Sequence, residues 1–126
     1  MNALGKHILL ELKDCDREVL NDLAFLKSTL REAAEKCGAT IMGDCFHAYS
    51  PQGVSGVVTI AESHLFIHTW PEYGYAAADI FTCGTSVQPE MAADVLVRNL
   101  KCANYSVIEI QRGLLVADRA PAGVCK

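Results

Sequence analysis

The chain has 126 residues and a mass of 13.7 kDa, a size that buries about two thirds of the unfolded surface in one core and excludes two separate ones. With 51% hydrophobic and 21% charged residues it falls outside the disordered and collagen-like classes. Eleven Lys and Arg against fifteen Asp and Glu leave a formal charge of −4, so no basic field draws in a phosphate backbone and nucleic-acid binding is disfavoured.

Residues 1–7 lack a basic segment followed by an apolar one, and the apolar runs fall far short of the roughly 20 residues that cross a bilayer. The expectation is a soluble cytoplasmic protein without a membrane partner. Six cysteines are scattered without a CxxC pair and read as small buried hydrophobes rather than a disulfide framework. Residues 7–12, rich in Ile and Leu, predict a strand. From Arg17 the apolar residues Val19, Leu23, Leu26, Leu30, Ala33 and Cys37 share one helical face, with Asp16 as N-cap and Gly38 as the stop. Residues 39–47 and 56–61 predict two more strands, separated by the turn residues Ser50, Pro51 and Gly53. Residues 65–70 predict a fourth strand, with Phe66, His68 and Trp70 on one face and Leu65, Ile67 and Thr69 on the other. Residues 75–82 predict a fifth strand, 89–102 a second helix opened by Pro89, and 105–111 a last strand; residues 114–126 read as irregular. Consecutive strands with hairpin-length links pair antiparallel, so the fold class is α+β: a two-layer α/β sandwich, mainly antiparallel, with two helices packed on one face. Residues 1–126 form a single domain.

Reactive side chains concentrate between Gly53 and Gly84, at the ends of predicted strands. A Ser/His/acid hydrolase would carry its nucleophile on a GxSxG elbow, and neither Ser55 nor Ser63 lies in one. A zinc site could recruit His47, His64, His68 and Cys83, but no pair has the short spacing of structural sites, so no metal is expected. His68 and Cys83 could also be plain core residues. A further reading uses the Glu62-Ser63 turn: a serine held there can attack the preceding carbonyl when the peptide is distorted from planarity. The ester formed can break by β-elimination to an N-terminal pyruvoyl group, and His68, five residues along the return strand, could lie within reach as the base.

Gly53-Val54-Ser55-Gly56, Ala61-Glu62-Ser63-His64, the run from Ile67 to Ala76 and Phe81-Thr82-Cys83-Gly84 closely resemble the short prokaryotic S-adenosylmethionine decarboxylases, which depend on a pyruvoyl group. Gly5-Lys6-His7, Cys15-Asp16-Arg17-Glu18-Val19-Leu20 and Gly38-Ala39-Thr40-Ile41 extend the likeness to about Gly113. The resemblance implies a proenzyme that cuts itself at Glu62-Ser63 into a β chain, 1–62, and an α chain, 63–126, whose Ser63 becomes the covalent pyruvoyl cofactor. That ketone would hold the amine of S-adenosylmethionine as a Schiff base and draw electrons from the breaking carboxylate bond, supplying the aminopropyl donor for spermidine. Ser55 and His68 match the family's processing residues, and Cys83 matches the group credited with protonating the product carbon. For the substrate pocket, Tyr49 and Trp70 offer aromatic faces to adenine and the sulfonium, and Glu72 a carboxylate to the ribose. Relatives of this kind are homodimers that share active sites across the subunit boundary. Members that take arginine or ornithine keep the same machinery, and an inactive regulatory partner would have lost the cleavage serine or the proton donor. Arg112 could contact a substrate carboxylate, or be an exposed charge at a strand end.

Overall fold

The structure is a computed structural model and describes residues 3–115. Six strands, β1 (Ala3–Lys13), β2 (Ile41–Ala48), β3 (Val54–Ile60), β4 (Ser63–Trp70), β5 (Tyr75–Cys83) and β6 (Asn104–Leu114), form one sheet in the order β2-β3-β4-β5-β1-β6. Every neighbouring pair is antiparallel. Helices α1 (Leu23–Lys36) and α2 (Pro89–Asn99) cover one face. The α+β sandwich and its element order are those the sequence predicts. No helix among the described residues is long and apolar enough to cross a membrane.

Strand alternation sorts the side chains into two faces. Ile8, Leu10 and Leu12 of β1, Leu65 and Ile67 of β4, and Ala76, Ala78 and Ile80 of β5 are buried with Leu26, Leu30 and Ala33 of α1 and Ala92, Val95 and Leu96 of α2 in a single core. The alternate residues, including His7, Glu11, His64, Phe66, His68 and Asp79, stay partly exposed on the opposite face. That face, which no helix covers among the described residues, carries most of the polar chemistry.

Several boundaries move, each for a local reason. The predicted helix from Arg17 is two pieces: Asp16 Oδ1 accepts from the backbone N–H of Glu18 and Val19 at 3.0 and 3.1 Å and opens a short 3-10 turn, Val19–Asn21. Asp22 then sits in an extended conformation and accepts from the Phe25 N–H at 3.0 Å, so α1 begins one cap later than expected. Gly38, at φ +88°, stops it as predicted. Helix α2 ends at Asn99 because Lys101 adopts φ +55°. Leu114 closes β6; residues 116–126, most of the segment expected to be irregular, lie outside the described residues.

Candidate active site

The hairpin between β3 and β4 turns through Ala61 and Glu62, with Ile60 paired to Ser63 across it. Ser63 is therefore the first residue of β4 rather than a loop residue, and it is only 8% exposed. Its φ of +150° lies where L side chains are rarely found, at a typical cost of about 1–3 kcal/mol. The carbonyl of Glu62, the group next to Ser63, accepts a hydrogen bond from the backbone N–H of Cys83 at 3.0 Å. The Glu62 carboxylate accepts from the Thr40 N–H at 3.2 Å, fixing the turn from its other side. Cys83 is buried, and its sulfur is disulfide-bonded rather than a thiol, which corrects the expectation of a small buried hydrophobe for this cysteine, while Cys15 and Cys37 are free and buried in the core as expected.

A second cluster occupies the other end of the same strands. Ser55 and His68 are cross-strand partners, and Ser55 Oγ lies 2.9 Å from His68 Nδ1. The His68 ring stacks on Phe66 at 4.7 Å and tilts toward Trp70, which leans on Tyr75 at 5.4 Å. Burial and a hydrogen bond to Glu11 push the Tyr75 hydroxyl up to about 12, so it stays a donor to that carboxylate. Tyr49, Gln52, Ser55, His68, Trp70 and Glu72 line one cavity of about 320 Å³. The structure thus brings the predicted pocket residues Tyr49, Trp70 and Glu72 to the Ser55–His68 pair. Gly53, at φ +103°, lets the chain return beside Thr69, whose carbonyl would lie 3.2 Å from an added Cβ.

The two clusters do not meet within one chain. Ser63 and His68 are five positions apart on β4, about 16 Å of extended backbone, and their odd and even positions point them to opposite faces. The hairpin geometry that suggested His68 within reach of Ser63 instead places it opposite Ser55. The rival zinc set is divided as well: His47 pairs with Ser55 beside His68, whereas His64 lies four positions down β4.

The family profile described as S-adenosylmethionine decarboxylase matches residues 6–113. The chain belongs to the S-adenosylmethionine decarboxylase family. It is 50% identical to the S-adenosylmethionine decarboxylase proenzyme of Thermodesulfovibrio yellowstonii, over 99% of this chain and 94% of that one. It is likewise 50% identical to the proenzyme of Moorella thermoacetica, over 97% of this chain and 98% of that one. Among solved structures it superposes on the adenosylmethionine decarboxylase of Aquifex aeolicus with a TM-score of 0.88 at 29% identity, covering 96% of this chain and 100% of that one.

Within this family scaffold the sequence reasoning missed a polar group between the two clusters. His7, His64 and Asp79 come from β1, β4 and β5, with their ligand-type atoms within 4.8 Å of one another. Asp79 Oδ1 lies 3.2 Å from His64 Nε2 and 3.7 Å from His7 Nε2. Arg112 Nη1 lies 3.2 Å from His7 Nδ1; a guanidinium can only donate, so Nδ1 is the acceptor of that contact. Arg112 also lies over the Phe81 ring, 5.7 Å from its centre. It is thus an exposed charge near the end of β6, as one of the two sequence readings has it, and it also reaches this cluster. A carboxylate at Asp79, between Ala78 and Ile80, was the available signal, since a charge in an apolar strand needs a partner.

Proposed function

We propose that this chain is a pyruvoyl-dependent S-adenosylmethionine decarboxylase made as a self-cleaving proenzyme. The observation that carries the reading is the conformation of Ser63: a left-hand φ of +150° at the family's cleavage position, on a serine that is almost buried. That φ is backbone strain at the attacking residue itself, directly beside the Glu62-Ser63 peptide that breaks. Ser63 Oγ adds to the Glu62 carbonyl carbon, the C–N bond breaks, and the chain is carried over as an ester. The Cys83 N–H, 3.0 Å from that carbonyl oxygen, is placed to stabilise the negative charge that develops on it. Loss of the Ser63 Cα proton then breaks the Cβ–Oγ bond, frees the Glu62 carboxylate and leaves dehydroalanine, which takes up water and releases ammonia to become pyruvoyl. The products are a β chain, 1–62, and an α chain, 63–126.

The pyruvoyl ketone supplies the electron sink that weakens the substrate's carboxylate bond. The protein's own groups bind and move protons. Trp70 and Tyr49 present aromatic faces to the adenine and the sulfonium, and Glu72 accepts from the ribose hydroxyls. Cys83 in its thiol form delivers a proton to the product carbon, so the disulfide at this sulfur must be reduced for turnover. Because His68 lies some 16 Å along β4 from Ser63, with Ser55 opposite it on β3, a second copy of the chain supplies the pair, and the working unit is a homodimer of αβ units in the cytoplasm. The decarboxylated product would feed aminopropyl transfer to spermidine.

Intact mass under denaturing conditions tests the reading. Two fragments, 1–62 and a remainder whose mass fits pyruvoyl in place of Ser63, are expected from the wild type, and a single uncut chain from Ser63→Ala. A wild-type chain that stays whole after prolonged incubation overturns it.

A further inference from the structure

Residues 14–16, just past β1, run beside the connection that follows α2. The Asp16 N–H donates to the Leu100 carbonyl at 3.1 Å, and the Ala103 N–H donates to the Asp14 carbonyl at 3.3 Å. Between these two backbone bonds the Sγ atoms of Cys15 and Cys102 lie 2.9 Å apart, both as free cysteines. A disulfide needs two closely apposed backbones and an S–S separation of about 2.05 Å, so closure asks for a shift of only about 1 Å. Cys15 is buried, whereas Cys102 is half-buried and is the sulfur that a solute reaches first.

We propose that Cys15 and Cys102 form a dithiol site that a low-molecular-weight disulfide oxidises to an intramolecular disulfide, and that this bond joins the β and α chains left by cleavage at Glu62-Ser63. The joining clause rests on the proposed self-cleavage, since Cys15 falls in 1–62 and Cys102 in 63–126. The Cys102 thiolate attacks the small disulfide, forming a mixed disulfide and expelling one thiolate. Cys15 sulfur then attacks Cys102 sulfur, expelling the second thiolate, which takes the Cys15 proton. Two electrons pass from the protein pair to the small disulfide, and two small thiols result. The sulfur–sulfur hydrogen bond favours this order, because it holds the Cys102 thiol below its usual range and pushes the Cys15 thiol up.

No other activity of the protein is needed to read the outcome. Purified protein is treated with oxidised glutathione, its remaining thiols are alkylated, and it is analysed without reductant by intact mass and peptide mapping. The uncut Ser63→Ala chain should lose about 2 Da for this closure and yield one peptide linking Cys15 to Cys102. The cleaved wild type should run as one linked species in denaturant, separate into two fragments on reduction, and already be separate in Cys102→Ser. Alkylation of both Cys15 and Cys102 in the wild type, under conditions that convert exposed Cys45 to its glutathione adduct, overturns the proposal and requires no variant to fold. A wild type that stays uncut yet carries the linked peptide upholds the dithiol site and overturns only the joining of two chains.

Discussion

Ser63 combines restricted solvent access with a backbone conformation that L residues avoid, and Cys83 donates its main-chain N–H to the Glu62 carbonyl while its side chain is the proposed proton donor. The two functions respond differently to change. Replacing Cys83 by Ala keeps the main-chain N–H, so cleavage into 1–62 and 63–126 should still occur, while turnover falls by two orders of magnitude or more, about 3 kcal/mol, for want of the proton donor. Single-turnover assays beside intact mass separate the two. The wild type as oxidised at Cys83 should gain activity on addition of dithiothreitol, and an activity indifferent to reductant would remove Cys83 from the proton transfer. In the pocket, Glu72→Gln should raise KM for S-adenosylmethionine about tenfold, roughly 1.4 kcal/mol, with kcat little changed, since the lost contact is to a part of the substrate that does not react.

At the scale of elements, caps and registers decide what each strand and helix presents. Asp22 holds the start of α1 through the Phe25 N–H, and Asp22→Ala should cost about 1 kcal/mol in urea unfolding. Gly56→Ala should cost about 1–3 kcal/mol by the same measurement, because a Cβ there would come within 2.1 Å of the Phe46 ring. What was legible in the sequence follows from the same physics. The alternation of Leu65 and Ile67 with Phe66 and His68 fixed both faces of β4, and Gly38 marked the end of α1, because each signal is local. The start of α1 was misread because Asp16 and Asp22 are both competent caps, and only packing tells which one opens the helix. The His7–His64–Asp79 group was invisible because it needs the register that sets Leu9 and Phe66 opposite Asp79 across two different strand pairs. The pocket set of Tyr49, Trp70 and Glu72 was placed from resemblance, and the structure gathers it because the turn at Gly53 and the turn after Trp70 lie on the same end of adjacent strands.

At the scale of the molecule, helices cover one sheet face and, among the described residues, nothing covers the other, and the two halves of the proposed site sit at separated positions on the strands. Five residues apart reads as close in a sequence, but in an extended strand it is about 16 Å, which is why the proposed site is completed by a second chain. Complementation tests this directly. Ser63→Ala removes the cleavage serine and keeps His68; His68→Ala removes the processing histidine and keeps Ser63. Each made alone should stay uncut. Expressed together at equal levels they pair at random, and about half of the His68→Ala chains meet a Ser63→Ala partner that supplies His68. Those chains alone should be cut, giving fragments that carry the His68→Ala mass on the α side and no fragments from the Ser63→Ala chain. Absence of any cutting in the mixed dimer, with mixed dimers confirmed by native mass, would place Ser63 and His68 of the same chain in one site and overturn the shared arrangement.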